Sequence, residues 1–111
     1  MNQTYCTYIL ASKRNGALFV GTTEDLANRV MDHKCNLIAG VTSQYAIHQL
    51  VYFEHHENID SASLRETSIK QMHRIWKLDL IEQQNPGWRD LYDDIASQYV
   101  IPRLDRGIQQ S

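Results

Sequence analysis

Near the start of the chain, Y-C-T-Y-I-L-A (Tyr5 to Ala11) and A-L-F-V (Ala17 to Val20) are two β-favouring runs separated only by S-K-R-N-G. So short a spacer, with Asn15-Gly16 able to take positive φ, folds the two runs back on each other as an antiparallel hairpin. Each run carries an aromatic ring, Tyr8 on the first and Phe19 on the second. The hairpin is therefore either plain framework or a mount that holds two rings over a reactive centre.

Downstream of the hairpin, helix and strand signals alternate. Thr22 or Thr23 offers an N-cap, and Glu24-Asp25 suit the positive end of a helix. Leu26, Val30 and Met31 give that helix an apolar stripe to about His33 or Lys34. From Cys35 to Tyr45 the periodicity fails, and Gly40 with Thr42-Ser43 reads as loop. Leu50-Val51-Tyr52-Phe53 marks a third strand from His48 to Glu54. Asn58-Ile59-Asp60-Ser61 supplies a turn and an N-cap for a helix from about Ala62, along which Ile69, Met72 and Trp76 recur at helical spacing. Leu78, Leu80 and Ile81 suit a following helix, Asn85-Pro86-Gly87 punctuates the chain, and a last helix is expected from Asp90 to Gln98. The expectation is one α+β domain over residues 1–111, with a core at about 5–91 and a C-terminal helix and polar tail at 92–111.

Composition narrows the class. With 111 residues, 42% apolar and 22% charged, the chain can bury a core without disulfide or metal staples and is not disordered. No apolar run approaches the ~18 residues that span a bilayer. The first residues carry no basic segment followed by an apolar one, so no secretion signal is read. Cys6 and Cys35 lie far apart and fit no zinc or CxxC spacing, and reduced thiols in the cytoplasm are expected. A net charge of −2 gives no overall attraction to nucleic acid. Arg65, Lys70, Arg74 and Lys77 nevertheless gather in one segment, so a local basic face is available. Such a face, taken alone, is equally a solvated helix surface.

The order and spacing of Tyr8-Ile9, Phe19-Val20-Gly21, Arg29 ten residues after Phe19, Glu66 on a later helix and Asn85 before Pro86 resemble the GIY-YIG nuclease superfamily. The likeness runs from about Tyr5 to Leu91. It is closest to the small stand-alone bacterial members related to the N-terminal nuclease domain of the excision-repair protein UvrC. Leu64-Arg65-Glu66, Ile69-Lys70 and the run from Asn85 to Leu91 add to it. The resemblance implies a three-stranded antiparallel sheet flanked by helices. It further implies hydrolysis of DNA phosphodiesters with one divalent ion, Mg²⁺ or Mn²⁺, in DNA repair or in defence against foreign DNA.

Each role has a physical reason. A phosphodiester under attack by water builds negative charge, which a hard cation held by one carboxylate offsets; Glu66 is the implied ligand. A planar guanidinium binds phosphate by two hydrogen bonds, and Arg29 is the implied clamp. Asn85 would orient the site, although an Asn before Pro-Gly is also an expected turn former. Lys70 and Arg74 would contact a DNA strand. A protein partner could supply specificity.

Two positions depart from the pattern. The second motif normally begins with a tyrosine that receives the proton of the attacking water; here it is Phe19, which has neither donor nor acceptor. Thr7 stands where the first motif usually has glycine. Three outcomes stay open. Tyr8 takes the base role, or His33 does, four residues after Arg29 on the same helix face. Otherwise the chain is a catalytically weakened nucleic-acid-binding module, since losing a general base costs ~10²–10⁴ in rate. The remaining candidates read as framework. His55 and His56 point to opposite sides of a strand, His73 has no partner at helical spacing, Cys6 is a buried inert thiol, and Tyr45 closes a loop or stacks on a base.

Overall fold

Asn15 takes a positive φ of 59°, and Gly16 N donates to Lys13 O at 2.9 Å, so the expected turn joins β1 (Tyr5–Ala11) to β2 (Leu18–Thr23). The structure is a computed structural model and describes residues 4–35 and 45–96. The expected loop at 36–44 and the polar tail from residue 97 lie outside the described residues.

A third strand, β3 (Gln49–His56), pairs antiparallel with β1 on the other side, giving the order β2-β1-β3. It reaches two residues beyond the expected Glu54, because His55 and His56 still pair with Cys6 and Tyr5. The central strand is covered on both faces, so it buries every residue from Cys6 to Ala11. Cys6, Tyr8 and Leu10 pack with Leu26 and Val30 of α1 (Leu26–Lys34), and with Leu91 and Ile95. Ile9, Ala11 and Val20 pack on the opposite face with Ile69 of α2 (Ile59–Gln71) and Ile81 of α3 (Arg74–Gln84). The result is an α+β sandwich of helices around one small sheet.

Several local expectations are corrected. Asp25, not a threonine, caps α1, its carboxylate accepting from Asn28 N at 3.3 Å. Thr22 and Thr23 are still paired with Thr7 and Cys6, which keeps both in the strand. Asn58 caps α2 by accepting from Ser61 N at 2.8 Å, so that helix starts three residues before Ala62. The chain turns extended at Met72 and His73, which ends α2 and restarts the chain as α3. Trp76 therefore leaves the stripe begun by Ile69 and is 60% exposed, while Met31 on α1 is 36% exposed. His73 is the residue preceding α3 rather than part of a helix.

The outer edge of β3 shows what Asn85-Pro86-Gly87 accomplishes. Register shifts between Ile9 and Leu10, which pair with Tyr52 and Leu50 and leave Val51 as the extra residue of a bulge. The Asn85 side chain donates to Val51 O at 3.1 Å and to Arg89 O at 2.8 Å, and accepts from Arg89 N at 3.1 Å. Gln84 bonds both backbone groups of Phe53, and Leu91 N donates to Leu50 O at 2.7 Å. An exposed strand edge is thereby covered. A helical turn follows at 92–96, within the expected Asp90–Gln98 helix.

Candidate functional site

Tyr8 is 1% exposed, and its ring lies across Gly21, its partner in β2. A Cβ at position 21 would sit 2.6 Å from the Tyr8 hydroxyl and 2.7 Å from Cζ. Glycine is needed there because the ring occupies the space of a side chain. The phenol oxygen consequently emerges over the edge strand.

There it meets α1. The hydroxyl lies 3.2 Å from His33 Nε2. Phe19 completes the cluster, its ring centroid 5.2 Å from that of His33 and 6.2 Å from that of Tyr8. The hairpin does mount two rings together, yet only one carries a hydroxyl. Burial raises the Tyr8 pKa above the ordinary 10.0, offset in part by hydrogen bonding to and charge of Arg29, so the phenol is protonated at neutral pH. Burial lowers the His33 pKa from 6.5, and the positive charge of Arg29 adds to this. A neutral imidazole protonated on Nδ1 accepts the phenol proton at Nε2.

Arg29 lies on the exposed side of α1. Its guanidinium is a second polar neighbour of the phenol, and the residue is open to solvent, as an anion-binding group must be.

Glu66 comes from the other face. Thr22 follows Gly21 and so points to the opposite side of β2, where it hydrogen-bonds the Glu66 carboxylate. Because β2 is the edge strand, carboxylate and phenol lie around one edge, and the negative charge of Glu66 is felt at Tyr8. Although burial opposes it, bonds from Lys70 and Thr22 hold the Glu66 pKa below 4.5, so the group is ionised. Its side chain is 23% exposed and pairs with Lys70 Nζ at 2.6 Å. Glu66 is thus the carboxylate of this cluster that could hold a cation. Among the described residues no three His, Cys, Asp or Glu side chains converge as a metal cage.

Of the other expected residues Lys70 stays beside Glu66, and the rest go elsewhere. Lys70 is engaged with Glu66 one helical turn away. Arg74 donates to Asn15 O at 2.6 Å and Gly16 O at 2.7 Å, bracing the hairpin turn. Asn85 is 4% exposed, and its amide is taken up by the β3 bulge, away from β2. His56 bonds Glu54 at 2.6 Å and His55 faces Cys6 Sγ at 3.4 Å, on opposite sides as expected. Cys6 is a buried thiol with its pKa pushed up to about 11 by burial. Tyr45 is exposed.

Sequence reasoning missed Thr22 and the reason for Gly21. Alternation from Gly21 to Thr22 was the available signal: in an edge strand it sends neighbouring residues to two different helices.

The His33 shift has a consequence for stability. With its native pKa below the unfolded 6.5, the unfolded chain binds the extra proton first as pH falls. Its stabilising contribution is complete above 6.5 and is lost as pH drops from there toward the native value. Glu54 and Glu66, also lowered, act only below about 4.5. Urea midpoints should therefore fall between about pH 7 and about pH 5, and His33→Gln should flatten that slope.

Comparison with known proteins bears on the family and the fold. The model of the GIY-YIG catalytic domain matches residues 4–79, from β1 into α3, which include Tyr8, Arg29, His33 and Glu66 but not Asn85. The UPF0213 protein CPE1444 of Clostridium perfringens (strain 13 / Type A) is 37% identical over 78 residues, covering 70% of this chain and 83% of that protein. The solution NMR structure of the UPF0213 protein BH0048 from Bacillus halodurans aligns at 22% identity with a TM-score of 0.50, covering 78% of this chain and 92% of that one. That likeness concerns the fold alone. With a three-stranded antiparallel sheet flanked by helices and a family match over residues 4–79, the chain belongs to the GIY-YIG family, whose catalytic domain is of nuclease type.

Proposed function

We propose that this protein is a divalent-metal-dependent DNA endonuclease in which a Tyr8–His33 pair replaces the missing second-motif tyrosine as the proton acceptor. The observation that carries the reading is the 3.2 Å contact between the Tyr8 hydroxyl and His33 Nε2, beside Arg29 and across the β2 edge from Glu66. A raised phenol pKa prevents Tyr8 from acting alone as a phenolate at neutral pH. It acts instead as a relay: its oxygen takes a proton from the attacking water as its own proton passes to His33 Nε2. Arg29 binds the non-bridging oxygens of the phosphate and counters the charge that builds there.

The residues fit Mg²⁺ or Mn²⁺ as the cofactor. A single ionised carboxylate, open to solvent on one side, suits a hard ion that keeps most of its waters. When bound, the ion supplies charge neutralisation at the phosphate and leaving oxygen. Glu66 would hold it, and Lys70, whose side chain is 54% exposed, is free to swing from Glu66 toward the DNA backbone. Arg74, engaged at the hairpin turn, would extend that basic side. With 111 residues there is little surface for base readout, so DNA structure or a protein partner would set specificity. The free thiols of Cys6 and Cys35 suit a reducing compartment such as the cytoplasm. Among the described residues no helix is long and apolar enough to cross a membrane.

The test is nicking of plasmid and branched DNA with Mg²⁺ or Mn²⁺ against an EDTA control. Metal-dependent nicks that fade as pH falls below His33's ordinary range support the reading; no cleavage under any condition removes it. A second reading, a binding module of low activity, is favoured by Phe19 alone. Phe19→Tyr, at a ring that is only partly buried, separates the two. If the native protein is silent and Phe19→Tyr gains cleavage by ~10²-fold or more, the module reading holds. If the native protein cuts and Phe19→Tyr changes the rate little, the Tyr8–His33 relay holds.

A further inference from the structure

Thr7 is fully buried in the middle strand. Its hydroxyl donates to Ala62 O of α2 at 2.9 Å. Thr22, its partner across the β1–β2 ladder, lies 3.4 Å from the same carbonyl. Ala62 is itself fully buried, and its methyl is small enough for α2 to approach the sheet closely. In an α-helix the carbonyl of residue 62 is also the acceptor for the N–H of residue 66. The carbonyl gripped by the sheet is therefore the one that anchors the backbone of Glu66.

We propose that Thr7 is a positioning residue for Glu66: through Ala62 O it fixes the height and rotation of α2 on the sheet and so aims the carboxylate at the edge of β2. The division of labour between the two threonines follows from proton count. Each hydroxyl has one proton. Thr22 bonds the Glu66 carboxylate, an ionised acceptor, which leaves Thr7 as the firm donor to Ala62 O. A one-turn lever makes small errors matter, because a rotation of α2 moves the end of the Glu66 side chain further than it moves Ala62.

The inference rests on Glu66 as the cation ligand, and the experiment keeps the two apart. Mn²⁺ binding is measured by electron paramagnetic resonance on the parent protein, Glu66→Ala, Thr7→Val and Thr7→Ser, together with circular dichroism and melting temperature. Valine keeps the shape of threonine without the hydroxyl, and serine keeps the hydroxyl. Thr7→Val should bind Mn²⁺ about tenfold more weakly, the usual cost of losing a group that orients a ligand. Thr7→Ser should stay close to the parent. Thr7→Ala serves in place of valine if the latter does not fold. A melting temperature lowered in Thr7→Val with Mn²⁺ affinity unchanged would make the threonine merely structural and overturn the proposal. If Glu66→Ala retains the parent's Mn²⁺ binding, the ligand assignment itself fails, whatever Thr7 does.

Discussion

Glu66→Ala should remove metal-dependent cleavage, a loss of ~10³-fold or more, while the protein stays folded. The reason is an imbalance between what the side chain does for the reaction and what it does for the fold. It is the carboxylate of the edge-strand cluster, held ionised by Thr22 and Lys70. Its contribution to stability is a part-exposed pair with a mostly exposed lysine, worth about 1 kcal/mol or less. A melting curve near that of the parent, alongside plasmid nicking reduced to the EDTA background, is the expected pair of results. Cleavage at the parental rate by a folded Glu66→Ala would mean that the reacting centre lies elsewhere.

Gly21→Ala should be nearly as damaging to activity and far more damaging to the fold. The new methyl carbon would lie 2.6 Å from the Tyr8 hydroxyl, 2.7 Å from its Cζ and 3.0 Å from Cε2 of Phe19. Contacts that short force a shift, and Tyr8, with α1 packed over it, has nowhere to withdraw. Overpacking of this kind costs about 1–3 kcal/mol. The phenol should also leave His33, so the surviving folded protein should lose ~10²-fold or more in rate. Gly87→Ala is the matched control, since its added carbon would come no closer than 3.7 Å to Arg89. Equal melting temperatures for the two variants would show that Tyr8 does not need the space above Gly21.

Much of the fold could be read from short windows. The Asn15-Gly16 turn, the Asn58 cap and the three β-rich runs are set by torsional and capping preferences acting within a few residues. Where windows misled, a longer-range contact had intervened. Ile69, Met72 and Trp76 share helical spacing, but spacing carries no sign of the extended residues at Met72 and His73 that separate two helices. Thr22 and Thr23 have good capping chemistry, yet ladder pairing with β1 holds them in the strand and passes the cap to Asp25. Asn85 shows the same limit. Its Asn-Pro-Gly setting marks a turn, but the acceptor of its amide is a bulge carbonyl that exists only once β1 and β3 have paired out of register.

The chain alone determined the chemical inventory: one phenol at Tyr8, its counterpart replaced at Phe19, an imidazole and a guanidinium one turn apart on α1, and a later carboxylate at Glu66. Only the tertiary structure decided where they stand relative to one another. The phenol meets His33 across 25 residues of sequence because Gly21 opens the space for its ring. Glu66 approaches from the opposite face because β2 is an edge strand and because Thr7 of β1 holds Ala62 O. Strand order and helix docking arise from burying apolar surface over the whole domain, so no local pattern encodes which polar groups end up side by side.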